Sequence, residues 1–164
     1  MYRCLIANRG EIAVRIIRAC RELNIETVAI YALGDEKSLH VSLADRAVCI
    51  GEANPLESYL NQDRIISAAK ITDANAIHPG YGFLSESSSF ARKVEDNDIY
   101  FIGPTQKTME MMGDKITARQ TVDNAGVPII PGSTKAVESI EEVQNIAKEI
   151  GYPLVLKAAS GGGG

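Results

Sequence analysis

Short apolar runs alternate with helical stretches from Arg3 to Ile102, and this alternation constrains the fold more than any other feature of the chain. Arg3 to Ala7 (RCLIA) is strand-like, and Asn8-Arg9-Gly10 reads as a turn. Glu11 to Leu23 then places Ile12, Ile16, Cys20 and Leu23 along one helical stripe, with Glu11, Arg15, Arg18 and Glu22 opposite. Thr27 to Ala32 and Arg46 to Ile50 are the next strands, followed by a helix over Gln62 to Ile71 and a strand at Ala76 to His78. A helix from Glu86 to Asp96 and a strand at Tyr100 to Ile102 complete the series. Strands this short and apolar, separated by helices, predict a parallel sheet covered on both faces, a doubly wound α/β domain that closes near Gly103-Pro104.

The remainder is built differently. Asp114 is placed to cap a helix running to about Asn124, ended by Gly126 and Pro128. Ser139 and Glu142 form a capping box before a helical stripe of Ile140, Val143, Ile146, Ala147 and Ile150. Gly151 and Pro153 stop that helix, and Leu154 to Lys157 reads as a strand. One strand is too little to close a core, so this part reads as the opening of a second domain. The expected boundaries are a first domain over 1–103, a helical linker over 104–130 and an incomplete domain over 131–164.

Composition narrows the function classes. The chain is 45% hydrophobic and 23% charged, a soluble globular mix, and its formal net charge of −4 with no long basic run argues against a nucleic-acid partner. No apolar stretch approaches a membrane span, and the start lacks a signal-peptide layout. Cys4, Cys20 and Cys49 are widely spaced, which fits reduced thiols in a cytoplasmic protein.

Ligands of open parallel sheets bind beyond the carboxyl ends of the strands. The loop there, His78-Pro79-Gly80-Tyr81-Gly82-Phe83-Leu84-Ser85-Glu86, flanks Tyr81 with glycines, so its ring can stand clear as a flat platform. On shape alone a tight turn with packed Tyr81 and Phe83 is the plainer reading. Ser85 is placed to cap the following helix, and His78 reads as structural, since no second His or Cys sits at ligand spacing. Lys115 falls in a first helical turn, where a cation is disfavoured; it pairs with an acid, is solvated, or faces an anionic ligand. Lys157 precedes Ala-Ala-Ser and Gly161 to Gly164. That tail is either a flexible linker or a phosphate-binding loop, and the apolar run before it favours the loop. The G-x-G-x-x-G of a dinucleotide site is absent after the first strand, as are other paired catalytic signatures.

Four stretches together, LIANRGEIAVRIIRAC at Leu5 to Cys20, HPGYGFLSE at His78 to Glu86, MGDK at Met112 to Lys115 and LKAASGGGG at Leu156 to Gly164, resemble the amino-terminal part of biotin carboxylase. The resemblance spans the chain. It implies a Rossmann-like pre-ATP-grasp domain followed by the truncated start of an ATP-grasp domain. The implied enzyme is an ATP-dependent ligase that uses ATP, Mg2+ and bicarbonate to form carboxyphosphate and carboxylates biotin on a carrier protein. Carried across, Lys115 and Lys157 would contact ATP phosphates, Gly163 and Gly164 would belong to the loop over the nucleotide, and Tyr81 would lie beside the biotin ring. Arg18 and Glu22 match a helix face used in the family's homodimer, the other reading being a solvated charged face. The expected partners are a biotin carboxyl carrier protein and a carboxyltransferase, as in bacterial acetyl-CoA carboxylase and fatty acid synthesis. A pyruvate or propionyl-CoA carboxylase, another ATP-grasp ligase, and a non-catalytic dimerisation module are the alternatives. The magnesium carboxylates, general base and bicarbonate-binding arginines of the family fall beyond Gly164, so the expectation is an inactive fragment with no catalytic or metal residue of its own.

Overall fold

A computed structural model of the chain describes residues 2–113, 115–133 and 135–156. It divides into two compact units, Met1–Gln106 and Lys107–Gly164.

The first unit is a sheet of five parallel strands in the order β3-β2-β1-β4-β5. The strands are β1 (Arg3–Ile6), β2 (Glu26–Ala32), β3 (Arg46–Gly51), β4 (Ala76–His78) and β5 (Tyr100–Phe101). They alternate with helices α1 (Gly10–Glu22), α2 (Leu39–Leu43), α3 (Gln62–Ile71) and α4 (Ser88–Glu95). The chain steps from β1 to β2 and β3 on one side, then crosses to β4 and β5 on the other. Right-handed crossovers therefore put α1 and α2 together on one face and α3 and α4 together on the other, as their packing shows. This is the doubly wound sheet expected from the alternation.

The central strand has no polar side. Cys4, Leu5 and Ile6 are fully buried, and Cys4 and Ile6 pack with Ala13, Ile16, Ile17 and Cys20 of α1. The stripe of α1 is wider than the expected one and stops short of its end: Ile16 and Cys20 are buried as expected, Ala13, Val14 and Ile17 join them, and Leu23, the C-cap, is exposed. At the start of the sheet Arg3 Nη2 meets Glu26 Oε2 at 2.8 Å, and Arg46 Nε meets Glu26 Oε1 at 2.7 Å, joining three strands through one carboxylate.

Two sequence expectations shift. Helix α4 begins at Ser88 and is capped by Ser87, whose Oγ accepts from Phe90 N–H at 3.2 Å, so Ser85 is not the cap. In the second unit, Leu154, Val155 and Leu156 join no ladder, and among the described residues there is no second strand for them to pair with. That unit contains α5 (Gln106–Gly113, from its second residue), α6 (Lys115–Asn124) and α7 (Ile140–Ile150). Glu142 N–H donates to Ser139 Oγ at 3.2 Å, as in a capping box, but the Glu142 carboxylate accepts from Glu138 N–H at 2.9 Å. Gly126 (φ +73°) and Gly151 (φ +83°) follow the ends of α6 and α7. No helix among the described residues is long and apolar enough to cross a membrane.

Candidate functional site

The direction of winding reverses between β1 and β4, and at such a switch point the loops leaving the carboxyl ends of two neighbouring strands part to leave a crevice. Here those loops are Asn8-Arg9 after β1 and His78 to Glu86 after β4.

Asn8, only 4% exposed, ties the two loops together. Its Nδ2 donates to the carbonyl oxygens of Pro79 and Tyr81, both at 2.8 Å, and its Oδ1 accepts from Arg9 N–H at 2.9 Å. Both amide hydrogens are thus used, which fixes the orientation of the side chain. Gly80 lies against this amide with φ +68°. Gly82 (φ +65°) and Phe83 (φ +43°) are left-handed too, so the backbone coils tightly around Tyr81. His78 Nδ1 accepts from Gly80 N–H at 3.0 Å, giving that histidine the structural role expected of it.

The two rings of the loop have separate fates. Phe83 stacks flat on Tyr59, with centroids 5.3 Å apart. Tyr81 is 63% exposed, and its hydroxyl donates to Glu11 Oε2 at 3.3 Å in the first turn of α1. The ring stands clear, so the plainer reading of a packed Tyr81 fails, and the flanking glycines make the open platform of the other reading.

Beneath Phe83 lies a polar cluster that the sequence did not reveal. Tyr59, 1% exposed, donates its hydroxyl hydrogen to Asp35 Oδ2 at 2.6 Å and accepts from Ala32 N–H at 3.1 Å. Arg9 reaches the same Asp35 oxygen at 3.2 Å and lies 5.3 Å above the Tyr59 ring. Burial opposes ionisation of Asp35, but the bonds from Tyr59 and Arg9 outweigh it and hold the carboxyl below its ordinary value. Burial and the neighbouring carboxylate push the Tyr59 phenol up. These residues are scattered over 9, 35, 59 and 83, and no local spacing announces them.

His40 and His78 are both held below the ordinary histidine pKa, chiefly by burial. His40 Nε2–H donates to Ile30 O at 3.2 Å while its buried Nδ1 has no partner, and a second proton there would have no acceptor. Protonating His78 Nδ1 would set a donor against Gly80 N–H. Unfolded histidine binds protons below about pH 6.5 while these two resist, so stability is full above that value and falls on acidification toward the depressed folded values. Asp35, Asp45, Glu26 and Glu36, held low by hydrogen bonds or cations, lose their contribution only at lower pH, below about 4. The urea midpoint is therefore expected to fall between about pH 7 and about pH 5, with a smaller protection factor at the Gly80 amide. A midpoint flat across that window would contradict it.

The other residues singled out from the sequence lie elsewhere. Arg18 and Glu22 are exposed on α1, lining a groove with Arg15, Ser38 and Leu39. Lys115 opens α6, and its side chain is outside the described residues, as are Lys157, Gly163 and Gly164 entirely.

The sheet order and the loops at the switch point define an open, doubly wound α/β domain. The chain belongs to the biotin carboxylase family: residues 1–109 match the family described as biotin carboxylase, N-terminal domain. Residues 114–164 match the carbamoyl-phosphate synthase L chain, ATP binding domain. The sequence is 55% identical to Biotin carboxylase 1 of Bacillus subtilis, over 99% of this chain and 36% of that protein. It is 54% identical to the 2-oxoglutarate carboxylase small subunit of Hydrogenobacter thermophilus, over 99% of this chain and 34% of that one. A crystal structure of Campylobacter jejuni biotin carboxylase in a β-γ-ATP complex superposes with TM-score 0.92 at 48% identity, over 98% of this chain and 36% of that one. The biotin carboxylase domain dimer of the Hydrogenobacter thermophilus 2-oxoglutarate carboxylase, with MgADP, ADP and bicarbonate, gives 0.89 at 53% identity, over 98% and 35%. The chain thus spans about a third of the length of these relatives.

Proposed function

We propose that these residues form the amino-terminal part of an ATP-dependent biotin carboxylase, a ligase acting on biotin borne by a carrier protein. The observation that carries this is the unbroken likeness to biotin carboxylases over 99% of the chain. A bicarbonate oxygen takes the γ-phosphoryl group of MgATP to give carboxyphosphate as the bond to ADP breaks. The carboxyl group then passes to the ureido nitrogen of biotin, which gives up its proton, with phosphate leaving. The nucleotide, magnesium and bicarbonate named for the Hydrogenobacter thermophilus domain support the same set here.

Lys115 and Lys157 contact ATP phosphates and offset charge as the phosphoryl group moves. Gly163 and Gly164 belong to the loop over the nucleotide. Tyr81 lies beside biotin, a role its exposed ring between left-handed glycines suits. The first domain is taken as 1–103, the helical linker as 104–130 and the start of the ATP-grasp lid as 131–164. Arg18 and Glu22 form a homodimer contact, a reading supported by the dimeric relative. The protein works in the cytoplasm with a biotin carboxyl carrier protein and a carboxyltransferase, making malonyl-CoA for fatty acid synthesis as part of acetyl-CoA carboxylase. The 54% identity to a 2-oxoglutarate carboxylase subunit favours a keto-acid carboxylase as the second reading.

In the full-length protein, free biotin is expected to stimulate bicarbonate-dependent ATP cleavage. Lys157→Ala should lower that rate about a hundredfold, the scale of losing one charge-stabilising donor. An unchanged rate would remove Lys157 from the phosphate site. Acetyl-CoA or a 2-oxo acid as the final carboxyl acceptor separates the two carboxylases.

A further inference from the structure

Tyr81 is the exposed ring of the switch-point crevice, yet its position does not rest on packing. It is gripped at two ends by residues of a different segment. Asn8 holds its carbonyl oxygen at 2.8 Å, together with that of Pro79, and Glu11 accepts from its hydroxyl at 3.3 Å. Two residues, Arg9 and Gly10, separate the anchors, one in the loop after β1 and the other in the first turn of α1, so a single short stretch sets both backbone and ring. We propose that Asn8 and Glu11 are positioning residues for Tyr81, presenting its ring in one orientation to a planar cyclic urea. This rests on the reading of Tyr81 as the residue beside biotin.

The chemistry of each anchor is specific. Asn8, itself only 4% exposed, spends both amide hydrogens on carbonyl oxygens, and a side chain without those two donors leaves both carbonyls without them. Aspartate has the same shape but would set carboxylate oxygens against those two carbonyls. Glu11 acts as an acceptor only, and glutamine keeps an acceptor oxygen while alanine does not. Its bond to the phenol restrains rotation of an otherwise solvated ring.

Two measurements test the proposal. In the 164-residue chain, Asn8→Asp should speed amide exchange at Gly80, Tyr81 and Gly82 at least about tenfold, leaving Leu5 and Val28 amides protected. In the full-length protein, Asn8→Asp and Glu11→Ala should each raise the KM for free biotin. The rise should be about tenfold for Asn8 and a few-fold for Glu11. KM for ATP and the biotin-independent ATPase should stay within about twofold, and Glu11→Gln should restore the biotin KM. Unchanged loop exchange in Asn8→Asp overturns the role of Asn8. An unchanged biotin KM in Glu11→Ala, on an exposed helix face where folding is not at stake, overturns that of Glu11. Tyr81→Ala is the control for the underlying reading. If it leaves the biotin KM unmoved, the biotin assignment fails, while the exchange data still decide whether Asn8 holds the loop.

Discussion

Gly80→Ala is expected to destabilise the chain by about 2–4 kcal/mol, roughly 1–2 from a left-handed backbone and the rest from overpacking. The backbone part follows from φ +68°, which a side chain rarely adopts. The packing part follows from where the new Cβ would fall: 2.9 Å from Asn8 Nδ2, 3.2 Å from Asn8 Cγ and 3.1 Å from Ile12 Cγ1. The Asn8 amide cannot swing aside without releasing Pro79 and Tyr81, and Ile12 is packed against the core beneath the sheet. The penalty therefore falls on the bonds that hold Tyr81. Gly82→Ala separates the two parts. Its φ of +65° is almost the same, but nothing lies within 4 Å of its Cβ position, so only the backbone part of about 1–2 kcal/mol applies. Urea unfolding of both variants followed by tyrosine fluorescence measures the difference, and equal losses would show that Asn8 yields to the added methyl group. Under the proposed function, Gly80→Ala should also weaken biotin more than Gly82→Ala does.

The elements that were legible in the sequence are those whose burial pattern is local. Helix α3 spans the expected Gln62–Ile71, and β4 the expected Ala76–His78, because apolar periodicity and bounding turns mark them. Helix α2 was not legible: it has five residues, and its buried member, His40, is fixed by a carbonyl ten positions earlier on β2. The cap of α4 was misplaced within Ser85-Glu86-Ser87-Ser88-Ser89, where several serines could cap and only the helix start decides. The run at Leu154 to Leu156 has the composition of a strand, but a strand exists only through a partner, and none is available among the described residues.

The candidate site divides the same way. The glycines around Tyr81 recorded a tight turn, since positive φ is a local demand, but on shape alone they favoured a packed ring and did not show that it stands exposed. Asn8 read as part of a turn, although its work is done over a separation of more than seventy residues. Nothing near it in sequence shows that both amide hydrogens are committed. Phe83 read as a companion of Tyr81, but Tyr59 claims it and leaves Tyr81 alone at the surface.

Tyr59→Ala is expected to cost about 3–5 kcal/mol, the range for emptying a large aromatic site in a core. The ring is almost wholly buried, with the Phe83 ring stacked on it at 5.3 Å and the Arg9 guanidinium 5.3 Å from its centroid, so truncation removes both contacts. Its hydroxyl also satisfies Ala32 N–H and Asp35 Oδ2, and losing it leaves a buried amide without an acceptor. Tyr59→Phe keeps the ring and removes only the hydroxyl, for about 1–3 kcal/mol. Urea midpoints of the two variants apportion the effect, and equal losses would place it in the hydrogen bonds rather than the stack. The consequence reaches the loop through Phe83, whose φ of +43° is tolerated while its ring is clamped on Tyr59. With the clamp gone, Phe83 can relax toward an ordinary backbone conformation, and Gly82 and Tyr81 must follow. Tyr59→Ala should therefore accelerate amide exchange at Gly82 and Tyr81, and Tyr59→Phe, which preserves the stack, should leave it nearly unchanged.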